Sequence, residues 1–330
     1  MTTELQKKFE QIAPALSRTP LLAIRYRYEG REGTVFAKAE YYNLTGSIKD
    51  RVAFHILKKA YEKGDIRPGD LIAEATSGNT GISFSAMGRY LGHPVVIYMP
   101  DWMTVERIRL MECFGAQVRL VSREEGGFLG SIQRTEELAK QGGVFLPRQF
   151  SNEDNTEAHY LTTGEEIVRQ LGALGLKADG VVAGVGTGGT VMGIGKRLQE
   201  ENPACRIYPL EPLNSPTLST GYKVGHHRIF GISDEFIPSI VRLGELDDII
   251  SVDDTDSILM ARMLSEKLGL GVGVSAPMTS LGSMASEALQ GMYSYPYRLF
   301  FPAIILSVMI LSFNLFGDGL RDALDPRLKK

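Results

Sequence analysis

Short apolar runs alternate with helical patterns along most of the chain, and this alternation constrains the fold more than any other feature. The runs at 71–75, 95–99 and 116–121 have the length of buried strands, and each leads through a turn into a segment of helical periodicity. Strands that are separated by helices pair in parallel, because the helix carries the chain back to the starting edge of the sheet. The sequence therefore predicts an α/β fold with parallel sheets and helices on both faces.

A second series of elements begins after residue 150, with a helix at 156–171 and strands at 180–183, 206–211 and 249–252. The chain has 330 residues, of which 43% are hydrophobic, and is long enough to bury two cores. We therefore expect two α/β units that are joined near residue 150.

Composition and charge exclude several classes of function. The net charge is −3, and no basic cluster with interleaved aromatic side chains favours a nucleic-acid partner. Cys113 and Cys205 lie far apart and outside any metal-ligand spacing, so we predict no metal site and interpret them as thiols of a reducing compartment. Residues 1–11 are polar, which is unlike a signal peptide, and we expect a cytoplasmic protein.

The sequence TGSIKDR at 45–51 carries the first chemical feature. It follows a predicted strand at 35–40, and Gly46 and Ser47 are typical of a turn and a helix N-cap. Lys49 then falls in the first helical turn, where the positive partial charge of the helix end disfavours an ammonium group. An unprotonated lysine is a nucleophile that forms Schiff bases. The alternative is a solvated lysine that pairs with Asp50.

Two further loops lie between a strand and a helix. Residues 76–81 (TSGNTG) bring backbone N–H groups and hydroxyls to a helix N-terminus, which binds an anion such as a carboxylate. Residues 184–190 (GVGTGGT) let the backbone approach closely and suit a phosphate. A dinucleotide fingerprint is the competing interpretation, but Glu211 is the only candidate for the acid that should follow it. A Schiff-base lysine, a carboxylate loop and a phosphate loop together indicate pyridoxal phosphate that holds an amino acid.

Residues 14–276 resemble the cysteine synthase (O-acetylserine sulfhydrylase) family of pyridoxal-phosphate enzymes, which share the fold type of the tryptophan synthase β subunit. The resemblance implies an N-terminal segment at 1–40 that packs on the large domain, a small domain at 41–150 that carries the lysine and the carboxylate loop, and a large domain at 151–276 that carries the phosphate loop. The motifs that carry the resemblance are TPL at 19–21, TGSIKDR at 45–51, TSGNTG at 76–81, QFSN at 149–152, GTGGT at 186–190, EP at 211–212, GI at 231–232, FIP at 236–238 and GVS at 273–275.

The resemblance also implies a role for each candidate site residue. Lys49 forms the Schiff base with the cofactor and is the catalytic base that takes the α-proton of the substrate. Ser275 faces the pyridine nitrogen, and its neutral hydroxyl favours loss of a β-substituent over transamination. The other implied roles are a hydrogen bond to the cofactor ring oxygen from Asn79, binding of the substrate carboxylate by Thr76, Ser77, Thr80 and Gln149, and binding of the phosphate by Gly186, Thr187, Gly188, Gly189 and Thr190.

The reaction that the resemblance implies is β-replacement on O-acetyl-L-serine, in which sulfide displaces acetate and L-cysteine forms. It also implies a homodimer, with serine acetyltransferase as a candidate partner. Residues 233–235 (SDE) replace a more glycine-rich stretch of the family near the β-substituent, which leaves the choice of nucleophile open. Cystathionine formation and serine dehydration on the same fold are therefore alternatives.

The end of the chain departs from the family after Ser275. Residues 280–330 resemble the C-terminal end of the inner-membrane permeases of peptide ABC transporters, and 299–316 contain no charged residue. A stretch of about 18 apolar residues can span a bilayer core, so we expect one transmembrane-type helix that is foreign to the α/β fold. The alternative is a buried core helix. A membrane is expected as a partner only through the tail at 277–330, and a catalytically impaired, membrane-tethered product is a further alternative.

Overall fold

The computed structural model describes residues 2–229 and 231–272 of the chain. Ser275 and the tail at 277–330, with its expected apolar helix at 299–316, lie outside the described residues. Within the described part, no helix is both long and apolar enough to cross a membrane.

The N-terminal part contains a helix, α1 (Thr3–Ile12), and an antiparallel hairpin of β1 (Leu21–Tyr28) and β2 (Arg31–Lys38). The hairpin closes through Glu29 and Gly30, which both have positive φ, as in the two-residue turns that match the twist of paired strands. The sequence pattern predicts only the second of these strands, because charged side chains alternate along an exposed part of the first.

A parallel sheet of four strands follows, and it confirms the first predicted α/β unit. Its strands are β3 (Leu71–Ala75), β4 (Val95–Pro100), β5 (Gln117–Val121) and β6 (Val144–Phe145). They lie in the order β5-β4-β3-β6, and β3 pairs with β4 from Ile72 opposite Val95 to Ala75 opposite Tyr98.

Helices cover this sheet because their apolar faces need burial. The helices of this unit are α2 (Lys49–Lys63), α3 (Asn79–Leu91), α4 (Val105–Cys113) and α5 (Gly127–Ala139). The core that α2 and α3 share with β3 and β4 includes Val52, Ile56, Ile72, Phe84 and Ile97, each at most 1% exposed.

The helix predicted at 156–171 is longer and less regular than the sequence pattern indicates. It consists of α6 (Glu153–Ala158), a π-helical turn (His159–Gly164) and α7 (Glu165–Gly172). It begins early because the Asn152 side chain accepts the backbone N–H of Asp154 and caps the first turn.

The second parallel sheet consists of β7 (Gly180–Gly184), β8 (Arg206–Pro212) and β9 (Ile250–Val252), in that order. The chain passes between these strands through α8 (Gly189–Glu201) and α9 (Thr217–Thr220), and α10 (Asp254–Leu268) follows β9. The second predicted α/β unit is therefore also present.

A buried ion cluster holds α2 against α7. The fully buried guanidinium of Arg51 donates to Glu40 Oε2 at 2.7 Å and to Glu166 Oε1 at 2.8 Å. Lys38 Nζ donates to the other Glu166 oxygen at 2.7 Å. Burial opposes ionisation of Glu166, but the hydrogen bonds from Arg51 and Lys38 lower its pKa to about 2. The cluster therefore fixes the chain two residues beyond Lys49.

Candidate active site

The turn that carries Lys49 is held by Asp50. Gly46 has a φ of +86°, a conformation that favours glycine. The helix α2 begins at Lys49, and its N-cap is Ile48, not Ser47 as the sequence predicts. The Asp50 carboxylate accepts the Thr45 backbone N–H at 2.7 Å, the Thr45 hydroxyl at 2.6 Å and the Ser83 hydroxyl at 2.7 Å. Asp50 thus orders the turn, and the alternative of a solvated Lys49 that pairs with it is wrong.

Lys49 is surrounded by protein but reaches a cavity. Burial lowers the pKa of its amine to about 8, and the nearby Asp234 opposes this shift. The direction agrees with the expectation from the sequence, but the cause is desolvation rather than the position of the residue at a helix end. The amine can therefore hold or release a proton close to neutral pH.

The predicted carboxylate loop joins β3 to α3 and faces the same cavity. The Thr76 hydroxyl accepts the Gly78 N–H at 3.0 Å, and Arg107 Nη1 donates to the Ser77 carbonyl at 3.0 Å. A Cβ at Gly78 would lie 2.7 Å from Arg107 Cδ, so glycine is required for this packing. Arg107, which the sequence pattern did not reveal, is buried and lines the same cavity as the loop.

Gln149 follows β6, the strand next to β3, and forms hydrogen bonds to this loop and to the end of β3. Its Nε2 donates to the Ala75 carbonyl at 2.8 Å, and its Oε1 accepts the Thr80 hydroxyl at 2.5 Å. Behind it, Glu74 accepts the backbone N–H groups of Ala75 at 2.9 Å and of Gln149 at 3.3 Å. Burial raises the pKa of Glu74 to about 8, so this carboxyl is largely protonated at pH 7. A single acid inside the apolar run of β3 is the sequence feature that could have revealed it.

The predicted phosphate loop ends β7 and opens α8, and its glycines are required by packing. A Cβ at Gly186 would lie 2.3 Å from the Gly231 carbonyl oxygen. Gly188 has a φ of +88°, and a Cβ there would lie 2.1 Å from Val241 Cγ2. The loop is therefore a close-packed backbone turn at a helix N-terminus, which leaves N–H groups for an anion.

One cavity of about 290 Å³ brings most of the predicted residues together. Asp234 lines this cavity and also a neighbouring cavity of about 480 Å³. Gly189 lies at the first position of α8 against Asn155, and Ser275 is outside the described residues. The predicted residues that line the smaller cavity are Lys49, Thr76, Ser77, Asn79, Thr80, Gln149, Gly186, Thr187, Gly188 and Thr190.

These residues fit pyridoxal phosphate. The cofactor needs a lysine amine for its aldehyde and an anion site for its phosphate, and both line the one cavity. Gly186, Gly188 and Gly189 let this turn pack against the protein at positions where any Cβ would clash. Within the described residues, no group of His, Cys, Asp and Glu side chains could hold a metal ion.

Comparison with known proteins gives the same assignment. The family model for pyridoxal-phosphate dependent enzymes matches residues 12–290. The chain is 38% identical over 271 residues to a cysteine synthase of Staphylococcus aureus, which covers 82% of this chain and 86% of the relative.

Two solved structures are similar in both sequence and fold. A hydrogen sulfide-producing enzyme from Fusobacterium nucleatum is 58% identical with a TM-score of 0.80, and the match covers 88% of this chain and 85% of that one. A cysteine synthase from Entamoeba histolytica is 35% identical with a TM-score of 0.73, over 83% of this chain and 81% of that one. The chain belongs to the family of pyridoxal-phosphate dependent enzymes.

Proposed function

We propose that the protein catalyses β-replacement on O-acetyl-L-serine with sulfide, which gives L-cysteine and acetate. The observation that carries this proposal is the meeting of Lys49, the loop at 76–80 and the glycine turn at 186–190 in one cavity. The similarity to cysteine synthases supports the same reaction.

Each part of the cavity has a task in this reaction. Pyridoxal phosphate supplies the electron sink that allows the α-proton and the β-substituent of an amino acid to leave. The Lys49 amine, whose pKa is about 8, can accept that proton and return it near neutral pH. The loop at 76–80 orients the substrate carboxylate, and the start of α8 holds the phosphate.

The test is cysteine formation by the purified full chain with pyridoxal phosphate, O-acetylserine and sulfide. We expect turnover with the parent and none above background with Lys49→Ala. Lys58→Ala is the matched control, because Lys58 lies on the same helix with a side chain that is 43% exposed. Equal turnover by Lys49→Ala and the parent would rule out the proposed role of this lysine.

A second candidate function is the release of sulfide from cysteine, and Asp234 is the observation that favours it. Burial raises the pKa of this cavity-lining carboxyl to about 6, so at neutral pH it is a carboxylate that can accept a proton. Hydrosulfide attacks without losing a proton, whereas water or a thiol that replaces it has to lose one. A carboxylate that accepts a proton therefore assists the attack of water or a thiol, which is the reaction that releases sulfide. Sulfide is the product of the Fusobacterium nucleatum relative.

Turnover with the two substrates separates these functions. The parent and Asp234→Asn are compared in cysteine formation from O-acetylserine and in sulfide release from cysteine, between pH 5 and 8. The second function predicts sulfide release that rises through about pH 6 and falls at least tenfold in the variant. A parent that makes cysteine but releases no sulfide would leave only the first function.

We also propose a cytoplasmic homodimer that associates with serine acetyltransferase. This proposal rests on the family resemblance and on two thiols that form no disulfide, Cys113 and Cys205. Sedimentation of the protein alone and with serine acetyltransferase tests this proposal. A monomer that does not bind the transferase would contradict it.

A further inference from the structure

Two hydroxyls of the phosphate loop are each contacted from behind by a fully buried polar side chain. Asn155 Nδ2 donates to Thr187 Oγ1 at 3.0 Å, and His159 Nε2 lies 3.2 Å from Thr190 Oγ1. Asn155 and His159 lie about one helical turn apart, in α6 and at the start of the π-helical turn. Both are 0% exposed and neither lines the cavity, so they act on it through the residues that they contact.

The packing of α8 places the loop within reach of these two side chains. A Cβ at Gly189 would lie 2.2 Å from Asn155 Oδ1, and a Cβ at Gly193 would lie 2.8 Å from His159 Cβ. The two glycines are four residues apart and share one face of α8, as the two polar residues share one face of the opposing segment. Glycine at both positions thus permits the close approach that the two hydrogen bonds need.

The direction of the Asn155 hydrogen bond follows from its second partner. Asn155 Nδ2 also donates to the Gln149 carbonyl at 2.8 Å, and a carbonyl oxygen can only accept. Thr187 Oγ1 therefore accepts from Asn155, and at 3.5 Å it also accepts the N–H of Gly189. A hydroxyl that accepts two N–H donors keeps its own proton for donation, and Thr187 lines the cavity.

His159 allows the same argument for Thr190. Burial and the nearby charges of Lys49 and Arg51 lower the pKa of His159 well below its usual value, so the ring is neutral and has one donor nitrogen. His159 Nδ1 lies 3.1 Å from the hydroxyl of Thr163, which can donate or accept. A phosphate dianion can only accept hydrogen bonds, so a Thr190 hydroxyl that binds it has to donate its proton. Thr190 is set to donate when His159 Nε2–H donates to its oxygen, and in this tautomer Nδ1 accepts the proton of the Thr163 hydroxyl.

We propose that Asn155 and His159 are positioning residues that turn the hydroxyls of Thr187 and Thr190 toward the cofactor phosphate as donors, with His159 in the Nε2–H tautomer. The proposal rests on the proposed function, because it takes the loop at 186–190 as the phosphate site. The sequence gives no hint of either residue, since each lies in a helical segment about 30 residues before the loop.

The test compares two variants of His159 by their binding of pyridoxal phosphate and of pyridoxal, which lacks the phosphate. In His159→Gln, the side-chain amide can place an N–H near the position of Nε2, whereas His159→Met has no donor. We expect the methionine variant to bind pyridoxal phosphate at least tenfold more weakly than the parent and the glutamine variant to recover most of this loss. Pyridoxal should bind all three proteins within a factor of two.

Two outcomes would overturn the proposal. One is an equal loss of pyridoxal phosphate and pyridoxal affinity in His159→Met, which would mean a general structural role. The other is a ¹⁵N spectrum of the parent with bound cofactor that shows His159 as the Nδ1–H tautomer. A parent that binds pyridoxal phosphate no better than pyridoxal would instead refute the phosphate site itself, and with it the proposed function.

Adjacent threonines provide a matched control. Thr163→Val removes the partner of Nδ1, whereas the Thr162 hydroxyl donates to the Ala158 carbonyl at 2.6 Å and faces away from the chain of hydrogen bonds to Thr190. Thr163→Val should lower the preference for pyridoxal phosphate over pyridoxal, and Thr162→Val should not. Equal effects of the two variants would contradict the assigned direction of the bonds.

Discussion

The buried Glu74 carboxyl should make the stability of the protein depend on pH. Its pKa is 4.5 in an exposed peptide and about 8 in the folded protein, because burial favours the neutral form. Between these values the folded chain holds a proton that the unfolded chain has released, so the free energy of unfolding falls as the pH rises. At about 1.36 kcal/mol per pKa unit, the loss is roughly 3 kcal/mol at pH 7 and roughly 5 kcal/mol above pH 8.

Substitution of Glu74 by glutamine tests this expectation, because the amide has a similar shape and does not titrate. The amide cannot accept both backbone N–H groups, of Ala75 and Gln149, so the variant should lose about 1 kcal/mol at pH 5. As the pH rises, the free energy of unfolding of the parent should fall relative to that of the variant, so the variant should be the more stable protein at pH 8.

Urea unfolding of the cofactor-free protein at pH 5, 6, 7 and 8, followed by circular dichroism, measures the difference. Glu112→Gln is the control, because Glu112 is exposed on α4 and should follow the parent at every pH. Other groups titrate equally in all three proteins and cancel in the comparison. Stability curves of Glu74→Gln and the parent that stay parallel from pH 5 to pH 8 would refute the reasoning.

Three further substitutions have defined outcomes. Arg51→Met leaves the buried Glu166 carboxylate and the partly buried Glu40 carboxylate without their guanidinium and should lower the free energy of unfolding by about 3–5 kcal/mol, measured in urea. Gly188→Asp introduces a Cβ at positive φ against Val241 and a negative charge beside the phosphate site, so the purified variant should lack the absorbance of bound cofactor. Ser275→Asp should keep the cofactor but slow loss of acetate from O-acetylserine at least tenfold, because a carboxylate there would keep the pyridine nitrogen protonated. An unchanged rate would mean that this side chain does not face the ring.

The sequence was sufficient for the elements that depend on local pattern. The boundaries of α2, α3 and α10 follow from apolar periodicity that ends at Gly64, Gly92 and Gly269, all at positive φ. The three loops that line the cavity were predictable because each combines glycine with hydroxyl residues between a strand and a helix.

The residues behind these loops could not be predicted in this way. Arg107 and His159 contact the loops at 76–81 and 184–190 from positions 30 and 31 residues away in the chain, so no local pattern connects them. Glu74 stands out in the sequence as the single acid of β3, but its contact with Gln149 depends on the fold. The π-helical turn (His159–Gly164) was also missed, since its residues have the same helical pattern as their neighbours. Prediction from one sequence thus ends where tertiary contacts decide the role of a residue.

The central claim is that Lys49 binds pyridoxal phosphate as a Schiff base, and borohydride reduction tests it most directly. The full chain is saturated with pyridoxal phosphate, reduced and digested, and the pyridoxyl group is located by mass spectrometry. We predict one label per chain, on Lys49, and none on Lys58 or Lys63 of the same helix. A label on another lysine, or a protein that stays unlabelled when saturated with cofactor, would contradict the claim.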